Sequence, residues 1–180
     1  MSASRINRRI ALAARPDGVP ELTDFRLEED VVEPLEDGEV LVAVEVLSMD
    51  AFIRTTLDED SFHGSVPLGG TVTALGVGTV VESRSDRFAP GDSVSGGLGA
   101  QTFARVPDAM LQPIDTSQVP ARTYLGALGL TTGLTAYAGM VFVGDPQPGD
   151  TVVVSGAAGA VGSFAGQIAS LSGAETIIGI

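Results

Sequence analysis

The sequence predicts a mixed fold: a β-rich first part closing into a small barrel, then the opening βαβ unit of a doubly wound parallel sheet. Three observations predict it. Short valine-rich runs separated by Gly, Pro and Asp turns fill the chain to about residue 120, with little helix between them. Near that point the chain becomes small, apolar and helix-compatible. From Thr151 a β-branched run, a glycine-alanine turn, a helical pattern and a second β-branched run follow directly on one another.

Taken in order, Arg8 to Ala14 reads as a first strand closed by the turn Arg15-Pro16-Asp17-Gly18. Phe25 to Glu28 reads as a second. Glu28, Glu29, Asp30 and Glu33 read as a solvated edge, with a cation site as the sharper alternative. After a turn over Pro34 to Gly38, Glu39 to Leu47 places Val40, Val42, Val44 and Val46 on one face and Glu39 and Glu45 on the other. Thr71 to Glu82 is a further long strand, bent or bulged at Gly76 and Gly78.

Pro90-Gly91-Asp92 and Pro148-Gly149-Asp150 both precede valine strands. Pro fixes φ at the second turn position and Gly accepts φ > 0 at the third, so a type II turn suits each. Ala121 to Met140, broken by four glycines, predicts two short helices at a domain junction and a polar-lined turn over Gly129 through Thr135.

The stretch Thr151 to Leu171 organises the second half. Thr151-Val152-Val153-Val154-Ser155 reads as a strand buried on both faces. Phe164, Ala165, Ile168, Ala169 and Leu171 fall at helical spacing, and Thr176 to Ile180 is a second strand. In the turn between, Gly159 removes the Cβ that would collide with a pyrophosphate, and Gly162 lets helix approach strand. The start of the helix offers N–H donors and the positive end of its dipole. The pattern departs from G-x-G-x-x-G at Ala157, so a merely tight strand-helix turn remains the alternative.

Composition bounds the function. The chain has 180 residues, no Cys, and 23 carboxylates against ten cations, all of them Arg, for a net charge of −13. That charge argues against nucleic-acid and anionic-membrane partners. It fits either an ordinary acidic surface or adaptation to high salt, where screening tolerates carboxylate excess. The apolar run Ile10 to Ala14 is too short for a signal peptide and no 18-residue apolar stretch exists, so a cytoplasmic protein is expected. No Gly-x-Ser-x-Gly elbow or Gly-Lys-Ser/Thr loop occurs, which removes the parts for acyl and phosphoryl transfer. His63, the one histidine, stands beside Asp58-Glu59-Asp60 in a loop and reads as a solvated side chain rather than a ligand or base.

Several stretches together resemble the medium-chain dehydrogenase/reductase superfamily: Asn7 to Ile10, Leu47 to Arg54, Tyr124-Leu125-Gly126 with Gly133 to Tyr137, and Val152 to Gln167. Within it the chain looks like the zinc-independent branch of prostaglandin, alkenal and curcumin double-bond reductases. The resemblance implies a GroES-like barrel over residues 1–122 and the start of a Rossmann domain over 123–180, with NADPH in the cleft between them. It implies hydride transfer to the C=C bond of an α,β-unsaturated ketone or aldehyde, and a homodimer when full length. Carried onto this chain, Gly159, Ala160, Val161 and Gly162 hold the pyrophosphate, Thr131 and Thr135 lie near the nicotinamide, and Asp50, Phe52 and Arg54 form the acceptor wall. An Asp50–Arg54 ion pair is the structural alternative for that last group.

The zinc-dependent relatives' Cys and Gly-His-Glu have no counterpart at Leu47-Ser48-Met49 or Leu68-Gly69-Gly70, so no metal is expected. Three departures stand out. The family's Asp-Pro-Tyr-Met-Arg is Asp50-Ala51-Phe52-Ile53-Arg54 here, Gly129 to Gly133 is one residue longer than usual, and a six-stranded Rossmann domain needs on the order of 120 residues. The last reads as a fragment, and it leaves NADPH over NADH resting on resemblance alone. Quinone reduction on the same scaffold, and a non-catalytic NADPH-binding protein, are the alternative functions.

If the acidity is salt adaptation, molar NaCl should raise the melting temperature by screening carboxylate repulsion. Equal melting temperatures at low and molar salt would leave a plain acidic surface.

Overall fold

Cross-strand charge sets the first hairpin of the computed structural model, which describes residues 5–180. Strand β1 (Ile6–Leu12) pairs antiparallel with β2 (Phe25–Val31), placing Arg9 opposite Glu28 and Arg8 opposite Glu29. Arg8 Nε lies 2.8 Å from Glu29 and Arg9 Nε 2.6 Å from Asp30, while the other end of the Arg9 guanidinium takes Glu28. The acidic run is therefore the facing half of an ion-pair ladder, not a solvated edge. Its partners lie some twenty residues upstream, beyond the reach of local pattern.

Five further strands, β3 (Glu39–Leu47), β4 (Leu75–Ser83), β5 (Ser93–Gly97), β6 (Phe103–Pro107) and β7 (Leu111–Pro113), form an antiparallel sheet ordered β6-β3-β4-β5-β7. Its core is Val40, Val42, Val80, Phe88, Val94, Leu98, Ala104 and Leu111. The period-two reading of β3 holds for Val40 and Val42 and fails at Val46, which is exposed. Between Val44 and Val46 the register against β4 shifts, and Glu45 is the extra residue. Its carboxylate accepts from Thr79 Oγ1 at 2.6 Å. Gly78 lies opposite that bulge, where a Cβ would come 2.2 Å from the Ala43 carbonyl oxygen, so only glycine allows this pairing.

Strand β4 begins at Leu75 rather than Thr71. The residues before it are used elsewhere: Val72 N–H donates to Ile10 O, and Ala100 N–H donates to Val72 O. They stitch the hairpin to the larger sheet over a second cluster, Leu12, Leu57, Val66 and Val72. Buried Asn7 adds to the stitch, accepting from Phe103 N–H at 2.9 Å and donating to Gln101 Oε1 at 2.8 Å.

The chain divides between Ala121 and Arg122 into two compact units. The segment expected to form two short helices holds a 3-10 turn over Ala121–Tyr124 and a longer helical run from Leu130, so the polar-lined turn expected over Gly129 to Thr135 is largely helical instead. Wide π turns over Leu130–Leu134 and Ala138–Gly144 flank one α turn, α2 (Thr135–Tyr137). Leu134 N–H reaches back five residues to Gly129 O at 3.0 Å. Gly133 does not break this run. A Cβ there would stand 1.9 Å from the Ala127 carbonyl oxygen, so the glycine permits a backbone contact.

Strands β8 (Thr151–Val154) and β9 (Thr176–Gly179) pair in parallel, joined by α3 (Ala160–Leu171). A small core of Ala136, Val154 and Ala165 lies on one side. Within this two-stranded stretch Val153 and Ile178 are exposed, while Val154 packs against Ala136 and Ala165. Leu171, expected on the packed face of α3, is also exposed at its last position.

The two Pro-Gly-Asp turns are alike in atomic detail. Gly91 has φ 101° and Gly149 φ 91°. In each the Asp N–H donates to the carbonyl three residues back, and the Asp carboxylate accepts that same residue's N–H at 2.8 Å. Among the described residues no helix is long and apolar enough to cross a membrane.

On β6, Arg105 binds three carboxylates, Glu33, Glu36 and Glu39. Hydrogen bonds from Arg105 and then from the Glu36 backbone hold the Glu39 carboxyl below its ordinary value of 4.5. A lowered folded-state value stabilises the protein above the unfolded value, and that stabilisation is lost as pH falls through the folded value. Arg105→Met should therefore lower the melting temperature at about pH 7, and the gap to wild type should narrow as the pH falls below the ordinary carboxyl value of 4.5. A gap independent of pH would assign the Arg105 effect to packing alone.

Candidate functional site

The second unit's candidate site is the turn that leaves β8. Gly156, at φ 60°, swings the chain out of the strand, and Gly159 N–H returns to Gly156 O at 2.9 Å. Gly159 then caps α3 with φ −77° and ψ 170°, and no side chain caps that end. Nor does an acidic residue occupy the first helical turn. The leading N–H groups of a helix have no intrahelical acceptor, so those of Ala160, Val161 and Gly162 are available to an anion. Ser163 Oγ is turned away from this task and donates to Ala160 O at 3.0 Å.

Glycine at 162 has a different reason from the expected one. A Cβ there would lie 2.3 Å from Gly156 O and 2.9 Å from Ala157 Cα, so the close contact is with the turn, not the strand. Ala157, at the first glycine position of the fingerprint, is accommodated from across the crevice. Its methyl stands 2.7 Å from where a Cβ on Gly179 would be, so glycine at the end of β9 makes room for it. Gly156, Ala157, Ala158, Gly159, Gly179 and Ile180 line one open recess with no charged side chain. Such a floor, small-residue backbone beside a helix start, fits the diphosphate of a dinucleotide.

The two threonines read as nicotinamide neighbours are both in the helical run. Thr135 Oγ1 donates to Leu130 O at 2.8 Å, so its proton is committed to the helix. Thr131 is half-buried one turn earlier, and the buried threonine is Thr132.

In the first unit, Asp50, Phe52 and Arg54 stand around α1 (Phe52–Thr56), and Asp50 O accepts Ile53 N–H. Arg54 does not make the anticipated pair with Asp50. It pairs with Asp58 one helical turn on at 2.8 Å and clamps the Gly18 carbonyl at 2.9 Å. The i,i+4 spacing favours Asp58. Half-buried Phe52 meets His63, their ring centroids 5.7 Å apart, and exposed Phe62 meets the same imidazole edge-on at 5.3 Å. Thr55 Oγ1 lies 3.1 Å from His63 Nδ1. Sequence reasoning missed this group because the loop from Asp58 to Ser65 has no period that brings His63 back onto α1.

Residues 8–114 match the family model described as the N-terminal domain of oxidoreductase. The NADPH-dependent curcumin reductase of Escherichia coli (strain K12) is 39% identical over 95% of this chain and 50% of its own length. The NADP(+)-dependent 2-alkenal reductase of Nicotiana tabacum is 33% identical over 95% of this chain and 51% of its own. The crystal structure of CurA from Vibrio vulnificus in complex with NADPH superimposes with a TM-score of 0.82 at 31% identity, over 96% of this chain and 51% of that one. The chain thus spans about half the length of the curated relatives it matches.

Two glycines of α3 separate contact from propensity. Gly162→Ala should destabilise, since the methyl meets backbone at 2.3 Å. Gly166→Ala should stabilise by about 0.5–1 kcal/mol, its methyl meeting only Ile177 at an ordinary 3.7 Å. Thermal melts of the two variants check this, and equal shifts would refute the contact argument.

Proposed function

This chain belongs to the oxidoreductase family defined by that N-terminal domain, within the medium-chain dehydrogenase/reductase superfamily, and on that premise we propose that the full-length protein is an NADPH-dependent reductase. Its acceptors are the activated C=C bonds of α,β-unsaturated ketones and aldehydes. The observation that carries the reading is the uncapped start of α3, held against the Gly156 carbonyl by Gly162 and free of acidic residues.

In this reading the N–H groups of Ala160, Val161 and Gly162 bind the pyrophosphate, and Gly159 keeps side-chain bulk away from it. When bound, NADPH supplies a hydride to the β-carbon of the acceptor. Phe52 gives the acceptor an apolar wall, where the family's tyrosine would have added a hydroxyl. Arg54, held by Asp58 and Gly18, fixes α1 and so the position of that wall. Thr131 contributes to the nicotinamide side, and Thr135 does so only through its oxygen lone pairs.

The same reading makes the protein a cytoplasmic homodimer that works without zinc. A sequence with no Cys and one His has few ligands for that ion. The names of the reductases that align over the whole stretch support the acceptor class.

The test is NADPH consumption by the full-length protein with aryl enones and quinones, and NADP⁺ reduction with secondary alcohols, run side by side. Enones should be turned over fastest, and Phe52→Tyr should shift preference towards smaller, more polar acceptors. Turnover of the alcohols alone would end the double-bond reading.

A further inference from the structure

At Gly179 a side chain is excluded by one atom, the methyl carbon of Ala157. A Cβ built on Gly179 would stand 2.7 Å from Ala157 Cβ, and beyond its chain neighbours it would meet nothing else within 4 Å. Non-bonded carbon atoms rest at about 3.5–4.0 Å, so a methyl at 179 needs roughly 1 Å of relief. Neither methyl has a rotamer to turn, and the relief must come from backbone. Gly179 asks for no special conformation of its own: it is the last residue of β9, with φ outside the left-handed region.

The hydrogen bonds decide which backbone gives way. Strand β9 is held to β8 along the parallel ladder from Thr176 to Gly179, and Ile180 N–H donates to Val154 O at 3.0 Å. The turn is tied to β9 by Ala157 N–H donating to Ile180 O at 3.3 Å, a longer bond. The turn is therefore the weaker side. A methyl on Gly179 displaces Ala157, and with it the peptides that lead into Gly159 and the N–H groups of Ala160 and Val161. Glycine at 157 would remove the conflict, because Ala157 Cα already lies outside that 4 Å shell. Gly162 is the contrast: its Cβ would meet Gly156 O and Ala157 Cα, contacts that no side-chain deletion relieves.

We infer that Gly179 is a positioning residue for the cofactor: by leaving room for the Ala157 methyl at the end of β9, it sets where the turn presents its N–H groups to the diphosphate. The inference rests on the reading of that turn as the NADPH diphosphate site, and adds a residue that acts on the diphosphate through another. Positions 157 and 179 hold one methyl between them, so the two can exchange it but cannot both carry it.

The experiment is a double-mutant cycle in the full-length protein. It is read by the NADPH dissociation constant from calorimetry, by KM and kcat with an enone acceptor, and by the melting temperature without cofactor. Gly179→Ala should raise the Kd for NADPH about tenfold or more, the cost of misplacing one hydrogen bond to a charged group. It should raise KM for NADPH more than it lowers kcat. Made in an Ala157→Gly background, the same substitution should change Kd by less than about twofold, the spread of independent sites. If Gly179→Ala alone does not fold, the double variant decides: folded protein that binds NADPH supports the pair, and folded protein that does not bind overturns it. A Gly179→Ala variant that melts lower but keeps the wild-type Kd has only a structural defect and overturns the inference. So does a loss of affinity that persists undiminished in the Ala157→Gly background. Either result leaves the reductase reading standing. If the wild-type protein does not bind NADPH, that reading falls and this inference with it.

Discussion

The Gly156 carbonyl oxygen is the point on which the second unit turns. It accepts the N–H of Gly159, closing the exit from β8, and it stands 2.3 Å from the position a Cβ of residue 162 would take. One oxygen thus sets the curvature of the turn and the distance of closest approach of α3. The helix axis, and with it the direction of the N–H groups of Ala160, Val161 and Gly162, follows from that contact. Ala157 and Gly179 repeat the principle across the crevice, one supplying the methyl and the other the space for it.

The first unit is held by a different means. Its hairpin has few buried side chains of its own and is tied to the five-stranded sheet by backbone bonds at Ile10, Leu12 and Val72 and by Asn7. Guanidinium groups complete it: Arg9 spans Glu28, Asp30 and the Gly69 carbonyl, and Arg105 gathers Glu33, Glu36 and Glu39. The planar fork serves several acceptors at once, which a lysine ammonium on a flexible stem does less well. The acidic surface is in this way partly an organised one.

Much of this was legible in the residues. Strand, turn, helix and strand from Thr151 onward could be read from β-branching, glycine and helical spacing, because each signal is local. The twin Pro-Gly-Asp turns were legible for the same reason. What escaped was whatever depends on a partner distant in sequence. Val46 follows the alternation of β3 until Glu45 is inserted, and nothing local marks that shift. Gly129 and Gly133 look like helix breakers until the Leu125 and Ala127 carbonyls are seen against them. Arg54 has carboxylates four residues away on both sides, and the sequence does not choose between them.

The cations of this stretch have one more chemical consequence. All ten are guanidinium groups, and thiols are absent. Conjugated enals and enones add to soft nucleophiles, chiefly thiolates and free amines, and a guanidinium is protonated too firmly to react in that way. Across these 180 residues the one side chain able to undergo conjugate addition readily is the imidazole of His63. On the reading proposed above, this stretch, about half the length of its relatives, meets electrophilic acceptors with a nearly electrophile-inert set of side chains.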